Sequence, residues 1–361
     1  MSVVPTNPRR QAAKILVVLA VIVIVIVLLM TPAVQSLIAE TLFSPFQEKV
    51  PESAVFKLTR DLQVSANGGT ITNFTLDTPG LRSSSPGGTV LQQVLNTSEL
   101  PSASSGASRY GVPWLVWQHG NMDGYQVYDV QMSYEVRVNA HVWNVDAGSS
   151  ANVSDIPYPL KGTYLHDEWK IVVNNPAIES RSAALVGEEK DVYTILYSIY
   201  HWVVDNVRYP ANPRLGDPAS SVDTLTSKVG DCDDQSILFC ALARAAGIPA
   251  WLQLGALYDP ADGSWNGHGW IQTYVPLIAG GGQYVTIDTV NHDFLVYKPN
   301  RIVEYTDDGN EAHLHDYYYS FSYSYVTESY SPGQGPEYQE IFTSVSYQPS
   351  ANKVSIGSIF S

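Results

Sequence analysis

The distribution of apolar residues divides the chain into three zones. From Ile15 to Met30, 16 apolar residues run without a break, and the run extends through Thr31 and Pro32 to Val34. A bilayer span takes about 20 apolar residues, with a lower range near 17. Arg9, Arg10 and Lys14 precede the run, and no acidic residue occurs before Glu40. The positive-inside rule then keeps the N-terminus in the cytoplasm and sends the rest of the chain outside. A cleaved signal peptide normally has an apolar region of about 7–15 residues and a small-residue cleavage site. This run is longer and lacks a clear site. The expectation is a basic tail at 1–14, a transmembrane helix and anchor at 15–34, and a juxtamembrane connector at 35–52.

The second zone, 53–175, alternates with period 2. Val55 to Leu58, Leu62 to Val64, and Ile71 to Leu76 read as strands, with Ala66-Asn67-Gly68-Gly69 as a hairpin turn. Tyr125 to Met132 and Tyr134 to Val138 follow, then Val142-Trp143. Ser83 to Gly106, rich in Ser, Pro and Gly, reads as an exposed loop. The zone is expected to be all-β, an immunoglobulin-like sandwich.

The third zone, 176–361, mixes periods. Val192, Ile195, Leu196, Ile199, Val203 and Val207 predict one helical face over Lys190 to Val207. Trp202 and Tyr209 are read mainly as packing residues. A second helix begins near Cys232 and ends at Gly247-Ile248-Pro249, where Gly supplies the left-handed residue and Pro blocks continuation. Trp251 to Leu254, Trp270 to Val275 and Tyr284 to Asp288 read as strands. The Gly-rich turn at Ala279 to Gly282 makes the last two a hairpin. Tyr319 to Tyr325 alternates aromatic and Ser residues and predicts a strand with an aromatic face.

Three residues at element edges carry the candidate chemistry. Cys232 lies in the first turn of the second helix, among unpaired N–H groups that favour a thiolate. Asp231 is placed to cap that turn, while Asp233 and Asp234 oppose the thiolate through space. The helix alone therefore does not activate the thiol, and a histidine is needed. His268 follows 36 residues on, and Asp288 lies 20 beyond it. If Val275 paired with Gly281, His268 would stand opposite Asp288, although the sequence leaves the register open. Cys240 and Cys232 are eight residues apart on one helix. That spacing is about 12 Å, beyond the roughly 7 Å a disulfide allows. Cys240, in mid-helix, reads as a buried small hydrophobe.

Gly230-Asp231-Cys232, the helix to Gly247-Ile248-Pro249-Ala250, then His268-Gly269-Trp270 and Ile287-Asp288 resemble the transglutaminase-like superfamily, whose core is related to papain-like cysteine proteases. The resemblance covers roughly 180–300. It implies Cys232 as nucleophile, His268 as base and Asp288 as orienter. It also implies an α+β, papain-like core. Leu58-Thr59-Arg60 to Leu76-Asp77-Thr78-Pro79 more weakly resembles the β-domain of microbial membrane-anchored members. Gly269 departs from the Ala found in many members.

Charge and remaining motifs narrow the function. The net charge is −15, with 35 acidic against 20 basic residues, a surface that repels nucleic acid and anionic lipid. No phosphate loop, dinucleotide fingerprint or metal-ligand set is present. His313-x-His315 has no accompanying ligands, and Asp259 to Gly263 and Asp307 to Asn310 read as turns rather than calcium loops. No cofactor is expected. Asn73, Asn96 and Asn152 head glycosylation sequons. The expectation is a membrane-anchored, extracellular thiol enzyme that hydrolyses amide or peptide bonds of a protein or peptide substrate. Acyl transfer to an amine, giving protein cross-links, is the alternative. A non-catalytic envelope scaffold or adhesion protein is the reading from a different class.

Overall fold

A computed structural model describes residues 47–213, 216–318, 322–324, 327–329 and 335–358. The N-terminal half is built from β1 (Ser53–Ser65), β2 (Gly69–Thr72), β3 (Thr75–Pro79), β4 (Gln92–Leu100), β5 (Ser105–Arg109), β6 (Val112–Gln118), β7 (Met122–Gly124) and β8 (Val127–Asn139). Along β1 buried and more exposed positions alternate, so Phe56, Leu58, Leu62 and Val64 share one face. The turn between β1 and β2 has Asn67 and Gly68 at φ 47° and 83°, the left-handed pair that a tight hairpin needs.

The second half contains α1 (Tyr158–Tyr164), α2 (Pro176–Val186), α3 (Val192–Asn206), α4 (Ser221–Ser227) and α5 (Cys232–Ala245). Then come β9 (Ala250–Tyr258), β10 (Trp265–Pro276), β11 (Gly282–Asp288), β12 (Asp293–Phe294), β13 (Arg301–Thr306) and α6 (Glu311–Tyr318). The five strands form an antiparallel sheet in the order β12-β11-β10-β9-β13. Helix α5 packs on β9 and β10 with α2, α3 and α4 around it. Its residues from Asp234 to Arg244 are all buried. It ends as the sequence predicts: Ile248 N–H donates to Ala243 O and Gly247 N–H to Arg244 O, both at 2.9 Å, with Gly247 at φ 81°.

Gly255 has a particular task in this sheet. It lies opposite His268, at a register shift between β9 and β13. A Cβ there would sit 1.9 Å from the carbonyl oxygen of Ile302. Glycine thus lets β13, which begins with Arg301, approach the strand next to His268.

Several sequence expectations are corrected. The segment 83–106 is not one loop. It contains β4, an edge strand beside β8, whose polar Asn96-Thr97-Ser98-Glu99 run faces solvent and so lacks apolar periodicity. The zone 53–175 is not wholly β, since α1 falls within it. The C-terminal residues join the N-terminal sheets instead of the core. Glu337–Pro349 pairs with β1 along its length, giving the order 337–349, β1, β8, β4. Ser322–Ser324 pairs with β3, and Thr327–Ser329 with β2. The aromatic strand expected from 319 lies partly outside the described residues. Asp316–Tyr318 belong to α6.

Val50–Val354 pack as one unit. Phe56 of β1 meets the rings of Tyr258, Trp265 and Tyr347 at centroid distances of 5.2, 5.1 and 5.2 Å. Gln92 donates to Val303 O and accepts from Val303 N at 2.9 and 2.8 Å, so its amide caps the edge of β13 as a strand would. The predicted membrane anchor, 15–34, lies outside the described residues. Among those described, no helix is long and apolar enough to cross a membrane.

Candidate active site

The hairpin β10–β11 sets the His268 side of the candidate site. Its ladder pairs Val275 with Gln283 and Ile271 with Ile287, a register two residues away from the one that puts His268 opposite Asp288. The turn is longer than expected. Leu277 N–H donates to Gly281 O, with Gly280 and Gly281 both at positive φ, so pairing begins only at Pro276 and Gly282. A two-residue slip preserves the face. His268 and Asp288 therefore still meet, just beyond the last pair of the ladder.

His268 Nε2 lies 2.7 Å from Asp288 Oδ2, and both side chains are buried. Asn291 braces the pair. Its N–H donates to Asp288 Oδ1 at 3.1 Å and its Nδ2 to Oδ2 at 2.8 Å, and the same Nδ2 lies 3.1 Å from His268 Nε2. Arg301 Nη1 donates to Asp288 Oδ2 at 2.8 Å. Burial alone would push the Asp288 carboxyl up. The charges of His268 and Arg301 and the hydrogen bonds from His268 and Asn291 hold it far below the usual carboxylate range. With Nε2 engaged, Nδ1 is the imidazole nitrogen left for a second partner.

Cys232 supplies the other side. It is half-buried in the first turn of α5. The Gly269 N–H is directed at its sulfur. A Cβ on Gly269 would meet Asp233 Cβ at 3.3 Å and Asp233 Cα at 3.4 Å. The residue after His268 thus abuts the residue after Cys232, and the absent side chain permits that contact. Ser236 ties the two elements together, with its hydroxyl donating to Cys232 O and to Gly269 O at 2.6 and 3.2 Å.

The resting thiol differs from the one expected of a helix N-terminus. Burial and the Asp233 charge push it up to about 12, with Asp231 and Asp288 adding and the Gly269 N–H opposing. The neighbouring acids form their own cluster. Asp234 accepts from Asp231 N–H at 3.3 Å and from Ala219 N–H at 2.5 Å. Asp233 accepts from the Tyr318 hydroxyl at 2.5 Å. Burial, a hydrogen bond to Asp233 and the charges of Asp233 and Asp234 push Asp231 up to about 8. Donor atoms of Asp231, Cys232 and Asp233 lie within 4.8 Å of one another, the grouping closest to a metal-ligand set among the described residues.

Tyr209 stands by this turn. Arg208 forms a parallel bridge with Val229, and Gly230 N–H donates to Arg208 O. Burial and the Cys232 charge raise the Tyr209 hydroxyl to about 12 while its ring stays 43% exposed. Tyr209 thus faces the site, whereas Trp202 packs under the Arg181 guanidinium at 4.8 Å. His313 and His315 pair separately with Asp308 and Asp316.

Residues 179–289 match the family described as the transglutaminase-like superfamily. This chain carries a transglutaminase-like core. A candidate cysteine protease from Cytophaga hutchinsonii is similar over 86% of this chain and 98% of its own, at 17% identity and a TM-score of 0.56. At that identity the likeness speaks for the fold alone. It extends beyond the transglutaminase-like core, so the strands on either side belong to the shared fold. The periplasmic domain of TgpA from Pseudomonas aeruginosa covers 67% of this chain and 88% of its own, at 13% identity and a TM-score of 0.33, a likeness too slight to weigh. No curated protein matches the chain.

Neither Asn291 nor Arg301 was singled out from the sequence. Asn291 is one turn past Asp288 in a loop, and Arg301 opens a strand on the far side of the sheet. No periodicity links either to His268.

Proposed function

We propose that the chain is a thiol enzyme that hydrolyses amide or peptide bonds, with Cys232, His268 and Asp288 as its triad. The supporting observation is the 2.7 Å contact between His268 Nε2 and Asp288 Oδ2, next to a Gly269 N–H directed at the Cys232 sulfur. Cys232 passes its proton to His268 Nδ1, and the thiolate attacks the carbonyl carbon. The oxyanion accepts from the Cys232 N–H, which has no intrahelical partner in the first turn. The imidazolium then protonates the leaving amine as the C–N bond breaks. Water gives a proton to His268 and its oxygen to the thioester, releasing the acid and the thiol. Asp288 holds the ring and stabilises its charged form throughout.

We place this core outside the cell, tethered by the apolar run at 15–34, where protein or peptide substrates would reach it. The β-rich part acts as a spacer of immunoglobulin-like type. A second reading is favoured by the thiol pushed up to about 12: a non-catalytic scaffold that keeps the fold. Labelling with a thiol-directed acyl probe separates the two. The enzyme reading expects rapid labelling of wild type and none of Cys232→Ala. Labelling no faster than that of a free peptide thiol would refute it. Incorporation of a primary amine into a glutamine-bearing acceptor would replace hydrolysis with acyl transfer.

A further inference from the structure

Asp288 does more than face His268. Its Oδ2 accepts from Arg301 Nη1 at 2.8 Å, and the second terminal nitrogen, Nη2, donates to Asp293 Oδ2 at 3.0 Å. Lys298 Nζ lies 2.7 Å from Asp293 Oδ1. The Arg301 side chain has no exposed surface, and its guanidinium lies over the rings of Trp270 and Tyr297 at 5.5 and 5.6 Å. Trp270 in turn stacks on the His268 ring at 5.8 Å and 25°. One guanidinium thus touches both the acid and the indole that hold the imidazole.

Asp288 is 1% exposed. A buried carboxylate beside a neutral imidazole is drawn towards its protonated form unless another cation or hydrogen-bond donors hold it ionised, and here Arg301 is the cation that adds to the Asn291 donors. In the cycle proposed above His268 is neutral before it accepts the thiol proton, so the imidazolium cannot hold Asp288 ionised at that stage. A guanidinium never deprotonates in a protein. The other groups facing this pair are Asp293 with Lys298, the phenols of Tyr200 on α3 and Tyr297, and Cys232 on α5.

Resting on the thiol-enzyme reading, we infer that Arg301 is a positioning residue that keeps Asp288 ionised and aimed at His268 Nε2 while the imidazole is neutral. The only proton that then moves is the one shared by Cys232 and His268.

Two measurements on the full chain test this. The first is the pH profile of Cys232 alkylation, read by mass spectrometry on molecules shown folded by circular dichroism. Arg301→Lys keeps the charge and should stay within about threefold of wild type with an unmoved profile. Arg301→Met should lose about tenfold at pH 7, the lower end of what outer-shell partners cost at metal sites, and show an added protonation step above pH 4. A folded Arg301→Met variant with the wild-type profile would overturn the inference. The second leaves Arg301 in place, so it survives any failure of Arg301→Met to fold. In His268→Gln, the Asp288 carboxyl carbon followed by NMR should stay ionised from pH 5 to 9. Its titration within that range would show that the imidazole, not Arg301, holds the charge. This result does not depend on turnover, so an inert wild-type thiol would refute the enzyme reading and leave the Arg301 test standing.

Discussion

Arg244 and Arg301 are both fully buried and each bridges two acids, yet the acids respond in opposite ways. Arg244 Nη2 lies 2.9 Å from Glu168 Oε2 and 3.4 Å from Asp307 Oδ2, with all three side chains sealed from solvent. There burial and the Glu168 charge push the Asp307 carboxyl well up, against Arg244. At Arg301 the two acids part: Asp288 is held far below the usual carboxylate range, while burial pushes Asp293 up despite Arg301 and Lys298. The difference lies in what faces each carboxyl. Two carboxylates meet one guanidinium at Arg244. At Arg301, Asp288 meets the guanidinium, the His268 imidazole and the Asn291 donors. Burial beside an arginine thus pushes one carboxyl up and leaves another ionised, and the other charges and hydrogen-bond donors around each decide which. The acids flanking Cys232 extend the series. Among the described residues no arginine bridges Asp231 and Asp233, and Asp231 is pushed up to about 8.

The contrast breaks most sharply if Asp288 can be neutralised without loss. Asp288→Asn should slow acyl-probe labelling of Cys232 by about 10³–10⁴-fold, as expected when a triad loses its orienting acid. Equal rates in the two proteins would make Asp288 structural. Next in size is Arg244→Met, which strands two buried acids. Chemical denaturation should show a loss of about 3–5 kcal/mol, with labelling per folded molecule unchanged. Glu168→Gln should cost far less, since it removes the charge that opposes Asp307 and leaves Arg244 paired with Asp307.

The Asp231 prediction has a definite sign. An acid whose folded pKa is raised contributes its stability below the unfolded value, near 4, and loses it as pH rises towards about 8. Asp231→Asn should therefore match wild type at pH 4 and exceed it at pH 9 by roughly 1.4 kcal/mol or more, the worth of one pKa unit. Denaturation midpoints at the two pH values check this, and a gain at pH 4 alone would reverse the assignment. The smallest effect is Gly269→Ala. Its Cβ would enter tight contact with Asp233 at 3.3 Å, and a loss under about 1 kcal/mol in a melting experiment is expected.

Much of the site was legible because its chemistry sits at element edges. Cys232 follows a capping Asp, and His268 and Asp288 flank a hairpin whose period-2 pattern sends both to one face. The exact register was not legible, because whether Gly281 or Gly282 resumes the ladder depends on a backbone turn that composition does not specify. Arg301 escaped notice since it reaches Asp288 across two intervening strands, a contact with no local pattern. The C-terminal strand Glu337–Pro349 was missed for the same reason. It pairs with β1 across almost the whole chain length, and only the folded sheet brings Phe342 opposite Arg60.

In the thiol-enzyme reading, His268 activates a thiol that burial and the Asp233 charge push up. The most direct measurement is the rate of Cys232 alkylation from pH 5 to 12 in wild type and in His268→Gln. Wild type should react at pH 7 at least about 100-fold faster, within the usual range for a positioned base, while His268→Gln should gain reactivity only at strongly alkaline pH, since burial and the Asp233 charge push the thiol up. Superimposable profiles would contradict the claim.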